Sequence, residues 1–216
     1  MWTTFVDCIG GLLAQLASLL DGSYGLAVIA LALAVRLALL PLTLHAAEQG
    51  WRRQRKLAAL KPEIEALRQR HAGEPAAQAA ALQALYRRHG IGAGLGSGLL
   101  TALVQAPLGM GIYAAIRRGA AGAGSFLWIP KLVRPDLGLA LLVAALSLAA
   151  AMLNPMLPEQ ARTVLQWLPA LVAFFTVWHL AAGLGLYWLG SSSATVAQTL
   201  LLRRRIRRLA DRPVAI

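Results

Sequence analysis

The residue whose type and setting promise chemistry is Arg36, a guanidinium between the apolar runs LAVIALALAV and LALLPL. On a helix starting near residue 24, it would lie about 18 Å along the axis at 1.5 Å per residue. That is slightly past the middle of a hydrocarbon layer roughly 30 Å thick. A charge there costs roughly 2.5–3.5 kcal/mol on insertion scales, so such residues usually face a bundle interior or a water-filled cavity. Every acidic residue (Asp7, Asp21, Glu48, Glu63, Glu65, Glu74, Asp136, Glu159 and Asp211) falls outside the apolar stretches. Water and polar side chains are therefore expected to solvate Arg36. Thr101, Gln105, Ser147, Thr176, Ser191, Ser192 and Gln198 are candidates for that lining, though hydroxyls and amides in apolar helices also bond helix to helix. The bland alternative is that Arg36 snorkels to the nearer surface; its depth favours the cavity.

Other chemistry is thin. His45, His71, His89 and His179 lack metal-ligand spacing, and Cys8 is the lone cysteine. Asp7 before it does not suit a lipoprotein cleavage site. No Ser/His/Asp constellation and no pair of carboxylates within the apolar stretches is present. The segment GIGAGLGSG loosely resembles a nucleotide loop, but no strand precedes it, and it reads as a flexible entry to a helix. No enzyme, metal or cofactor is expected.

The elements that must position Arg36 are long apolar helices. Of 216 residues, 58% are hydrophobic and 14% charged, against about 25% charged in soluble domains. Five stretches, 24–44, 97–116, 137–153, 163–182 and 184–202, are apolar enough to span a bilayer as helices, the third being short. None alternates apolar with polar as barrel strands do. The last two nearly touch and require a tight hairpin. Residues 1–22 carry no Lys or Arg, unlike a signal peptide. Phe5, Ile9, Leu12, Leu13, Leu16, Leu19 and Leu20 recur at helical spacing, which fits either an apolar start packed on the bundle or an interfacial amphipathic helix.

Charge sets the orientation. With the N-terminus outside, residues 45–96, 154–162 and 203–216 are inside and carry sixteen Lys or Arg, against four in the outside loop 117–136. The positive-inside rule then gives an all-α polytopic membrane protein with five transmembrane helices, N-out and C-in. This topology accounts for most of the net charge of +12 without DNA. The basic tail 203–216, containing RRRIRR, fits anionic lipid by default and ribosomal RNA as the alternative.

Within the core, 23–202, the large inside loop predicts a helical hairpin over 46–90. One helix covers 46–71, with Leu57, Leu60, Ile64 and Leu67 recurring at three or four and Pro62 starting or kinking it. AGEP at 72–75 is the turn, and residues 76–88 form the second helix. The outside loop carries SFLWIPKL, suited to an interfacial aromatic anchor.

In order and spacing these pieces resemble the YidC/Oxa1/Alb3 family of membrane protein insertases, over about residues 23–205. VRLALLPLTLHA, LAALKPEIEALRQRH, LYRRHGI, QAPLGMGIYAAI, FLWIPKLVRPDLG and LPALVAFFTVWHLAAGLGLYWLGSSSATVAQ carry the resemblance. Departures fall at GIGAGLGSG, at Ala181 where the family often has Pro, within SSS at 191–193, and at Ala32, often polar in the family. The resemblance implies five helices around a hydrophilic groove open to cytoplasm and lipid, with Arg36 in it and Tyr113, Tyr187 and Trp188 guiding the incoming segment. Ordinary helix packing accounts for those aromatics equally well. It further implies nascent membrane proteins and the lipid bilayer as partners, extending to the ribosome and the Sec translocon. No nucleotide is required. Charge is expected to matter more than geometry, so Arg36→Lys should retain much of the activity that Arg36→Ala loses. The absence of an Arg- and Ser-rich presequence favours a bacterial cytoplasmic membrane over an organelle. A non-translocating assembly chaperone and, further off, a small-solute transporter stay open.

Overall fold

The computed structural model describes residues 1–91, 95–154 and 162–210, the side chains of 95–102, 104, 162–163 and 208–210 excepted. Its elements are α1 (Trp2–Leu19), α2 (Tyr24–Ala59), α3 (Lys61–Arg70), α4 (Pro75–Arg88), α5 (Leu95–Ala120), α6 (Leu137–Leu153), α7 (Arg162–Leu165), α8 (Trp167–His179) and α9 (Ala182–Ala210). Among the described residues no strand forms beyond an isolated bridge between Phe126 and Ile129. The chain divides into two compact units, residues 1–41 with 104–216, and residues 42–103.

The first unit holds the main apolar core. Val28 of α2, Ile112 and Ile116 of α5, Leu139 and Val143 of α6, Val177 of α8 and Leu186 of α9 are fully buried in it. α1 joins this core through Val6, Ile9 and Leu13, and Phe5 and Ile9 lie over Gly111 of α5. Arg118 of α5 pairs with Asp7 of α1 at 3.1 Å. The start of α1 is thus a packed helix. It is also, with α2, long and apolar enough to cross a membrane, while α6 and α8 are shorter apolar helices.

Prolines explain where helices stop. Proline lacks an N–H and its ring clashes with the carbonyl four residues back. Pro62 accordingly sits in the first turn of α3 and α2 ends at Ala59, rather than one helix covering 46–71. Pro169 does the same to the stretch expected as one span over 163–182: the helix breaks at Gln166, before α8. Pro41 and Pro107 are accommodated inside α2 and α5. α6 begins at Leu137 with Asp136 as N-cap, its carboxylate accepting the Leu139 N–H at 2.7 Å and the Trp128 indole N–H at 3.1 Å.

The loop before α6 closes over the start of α9. The N–H groups of Ala182 and Gly183, unpaired at a helix start, donate to the carbonyls of Arg134 and Leu132, both at 2.9 Å. Phe126, Ile129 and Leu132 are buried, while Leu127 and Trp128 stay exposed at the loop tip. α9 runs on to Ala210, so part of the segment read as a basic tail is helical.

The second unit is a helical hairpin. α3 and α4 pack together, joined by a turn whose Gly73 has φ +94°. Glu63 and His89 approach to 3.8 Å, both well exposed.

Candidate functional site: a guanidinium between two polar cavities

α2 and α9 come close where Ala32 meets Gly190. A Cβ at Gly190 would stand 3.0 Å from the Ala32 Cβ and 3.3 Å from the Ile29 carbonyl oxygen. Ala32 is completely buried. Two small residues at this crossing are what allow the backbones to approach, as small residues do generally between membrane helices. They also give position 32 a packing reason to be alanine.

Arg36 lies one helical turn beyond Ala32, and Ser191 directly follows Gly190. Arg36 Nε donates to Ser191 Oγ at 2.7 Å. Ser191 and Ser192 are the buried polar side chains among the described residues, each 7% exposed.

Arg36 lines two cavities. One, of about 330 Å³, is walled by Arg36, Ser147, Asn154, Ser192, Thr195 and Thr199, with Trp188, Leu165, Pro169, Ala150 and Ala151. The other, of about 140 Å³, is walled by Arg36, Gln105, Tyr187 and Ser191, with Val35, Leu39, Leu108 and Gly109. Each exceeds the roughly 30 Å³ that a water occupies in the liquid, and each offers the several polar partners a water needs. Among the described residues, no carboxylate stands in either wall.

The structure therefore brings together Arg36, Gln105, Ser147, Ser191 and Ser192. Successive helix residues point about 100° apart, and Tyr187 and Trp188 face the smaller and larger cavity respectively. Tyr113 is 40% exposed on α5 and lines neither. Thr176 donates to the Val172 carbonyl of its own helix at 2.6 Å and also lines neither. Gln198 is half-buried on α9, outside both walls. The Thr101 side chain lies outside the described residues.

Asn154, Thr195 and Thr199 were missed from the sequence. The threonines had a signal: 191, 195 and 199 repeat at four and make one polar stripe along α9. Thr195 Oγ1 donates to the Ser191 carbonyl at 2.9 Å and Thr199 Oγ1 to the Thr195 carbonyl at 2.8 Å. Each hydroxyl oxygen keeps its acceptor capacity for water or a guest.

Known proteins resemble this chain in sequence and fold. The family model described as 60Kd inner membrane protein matches residues 15–209. The chain belongs to that family. The membrane protein insertase YidC of Staphylococcus haemolyticus is 28% identical, over 99% of this chain and 78% of its own length. The membrane protein insertase YidC of Enterococcus faecalis is 34% identical, over 85% of this chain and 68% of its own. A crystal structure of an active YidC insertase with its first transmembrane domain resolved superposes with a TM-score of 0.66 at 26% identity. That match covers 91% of this chain and 45% of the crystallised one. Family membership makes this an inner-membrane protein. It also fits the exposed apolar surface of α6 and α8, where Leu141, Leu142, Leu171, Val172 and Phe175 face outward. So much clustered apolar exposure is a liability in water and ordinary against lipid.

Proposed function

We propose that this protein is a membrane protein insertase, which also helps its substrates fold, and that the cavities beside Arg36 are parts of its substrate groove. The observation that carries the reading is an arginine deep in an apolar stretch yet amid hydroxyl and amide groups, with no carboxylate among the described residues of the cavity walls. Inserting a small membrane protein requires a polar segment to cross hydrocarbon. A wet, positively charged groove shortens that barrier and draws in acidic segments. The apolar segment then leaves for lipid, driven by loss of its contact with water, so no nucleotide is needed. Tyr187 and Trp188, flanking the cavities, and Tyr113 on α5 are aromatic surfaces along which that segment moves.

The charge asymmetry supports five spans, N-out and C-in, formed by the first part of α2, α5, α6, α7 with α8, and α9. The α3–α4 hairpin and the end of α9 are cytoplasmic in this topology. The ribosome and the Sec translocon are further partners on this reading.

The test is protease protection of a single-span substrate with an acidic translocated tail, in liposomes with and without the protein. Protection should require the protein. It should fall about ten-fold with Arg36→Ala, the scale of one lost contact to a charged group. Equal protection by wild type and Arg36→Ala at equal protein level would sink the groove assignment. No protection by folded wild type would favour an assembly chaperone that holds partners without translocating them.

A further inference from the structure

We infer that the cavity between α1, the start of α2 and the end of α5 binds the headgroup of a zwitterionic phospholipid that carries a primary ammonium. Arg118 takes its phosphate and Asp7 its ammonium. The inference rests on the membrane location and is independent of the insertase reading.

The cavity, of about 360 Å³, lies within the first unit. Asp7 and Gly10 of α1, Tyr24 of α2, and Arg118 and Gly119 of α5 wall it. None of them lines the cavities around Arg36. Tyr24 opens the first apolar stretch, and Arg118 comes just after the end of the second. That is the level at which headgroups meet a spanning helix.

Gly10 carries the argument. Glycine within a helix is less favourable than any residue but proline. Elsewhere in the bundle a close neighbour requires it: Phe126 lies over Gly25, Phe5 over Gly111 and the Tyr24 hydroxyl over Gly119, each too near for a Cβ. A Cβ at Gly10 would meet nothing within 4 Å. The helix thus keeps room beside the cavity that its own packing does not use. Gly109 shows the same pattern, and it lines the smaller cavity beside Arg36. Gly11 is also open, but it is exposed and outside the cavity wall.

The polar groups around that room match a headgroup of both charges. Arg118 Nη1 donates to Asp7 Oδ1 at 3.1 Å, with both side chains more than half exposed. Such exposed pairs contribute little to stability, so their members can exchange partners at small cost. The guanidinium fork suits phosphate oxygens, and the Asp7 carboxylate accepts N–H donors from an ammonium. The Tyr24 hydroxyl stands 3.5 Å from the Ile116 carbonyl oxygen, beyond the usual range of about 2.5–3.0 Å for an O–H···O bond, so its proton is open to a phosphate oxygen. A choline headgroup has no N–H for Asp7, and a glycerol headgroup brings no cation to it. The rest of the wall, Val6 and Ala115, is apolar and suits the acyl end of the headgroup.

The test titrates full-length, delipidated protein in detergent with phosphatidylethanolamine, phosphatidylcholine or phosphatidylglycerol at equal mole fraction. Bound lipid is counted by native mass spectrometry. Phosphatidylethanolamine should fill one site about ten-fold more tightly than the other two, the scale of a hydrogen bond to a charged group. Gly10→Leu fills the room and leaves both charges in place. It also replaces a poor helix former with a good one, so the thermal unfolding midpoint should not fall. It should bring phosphatidylethanolamine down to the level of phosphatidylcholine. Asp7→Asn should erase the preference for ethanolamine over choline, and Arg118→Gln should weaken phosphatidylethanolamine binding about ten-fold. Equal binding of all three lipids by wild type, an annular lipid only, overturns the inference. So does wild-type affinity in Gly10→Leu, whatever the charge variants do. Glycerophosphoethanolamine, the soluble headgroup, should not bind at the same concentration. Binding as tight as that of the lipid would make the ligand a soluble phosphate ester and overturn the assignment to the membrane. Insertion is not read, so a protein that inserts nothing yet selects phosphatidylethanolamine still supports the site.

Discussion

α6 and α3 stand at opposite extremes of helix design in this molecule. α6 is apolar except for Ser147, buries Leu139, Ala140, Val143 and Ala151, and starts on a carboxylate cap. α3 buries no side chain and has no side-chain cap, and its partner α4 buries Leu85 alone. Short isolated helices are marginal in water, and most helical stability comes from packing an apolar face. α6 is thus secured by tertiary contact, and the hairpin by its turn, by Leu85 with Leu60 and Ile91 at its ends, and by an exposed Glu63–His89 contact. The boundaries between the two units fall at residues 41/42 and 103/104, in helices that carry Pro41 and Pro107 close by. Each proline removes one intrahelical hydrogen bond at those places.

The contrast can be broken most forcefully at Gly190. Gly190→Leu would drive a side chain into Ala32 and the Ile29 carbonyl. It is expected to destabilise the detergent-solubilised protein by about 3 kcal/mol, the upper range for overpacking, and to abolish Arg36-dependent insertion. A thermal unfolding midpoint equal to wild type would show that the α2–α9 crossing is not tightly packed. Asp136→Ala should have a smaller effect, about 1 kcal/mol for a lost N-cap. Trp128 would lose its indole partner as well, so its fluorescence should shift alongside the unfolding midpoint. Smallest of all, Glu63→Gln in the hairpin should change stability by less than about 0.5 kcal/mol, as exposed pairs generally do. Hydrogen exchange sharpens the same comparison without a substitution. Amides of α3 and α4 should exchange well before those of α6, because local opening there exposes few apolar contacts. Equal protection in both would remove the distinction between a rigid core and a loosely held hairpin.

Much of the fold was legible because apolar run length and turn residues act on sequence directly. The stretch 137–153 appears as α6 with those bounds, since Asp136 is a cap and the run is apolar but for Ser147. The turn at 72–75 and the helix after it were legible from Gly73 and Pro75. What was misplaced has local causes. Pro169 divides the fourth stretch into α7 and α8. Pro62 moves a helix boundary to residues 59–61, whereas Pro41, within the first apolar stretch, leaves α2 unbroken. The same residue type gives opposite results because the surroundings decide whether a lost hydrogen bond is tolerated.

The sequence by itself determined that a charged group must lie deep in an apolar helix and that the polar groups able to solvate it sit on other helices. Composition and span length suffice for that, because the cost of a buried charge does not depend on which helices pack together. Which polar groups reach Arg36 was decided by tertiary structure alone. Thr176 turns back on its own helix, Asn154, Thr195 and Thr199 enter the wall, and Ser191 takes the guanidinium Nε. Those outcomes follow from the close approach of α2 and α9 at Ala32 and Gly190, a meeting of two small residues 158 positions apart that no local pattern announces.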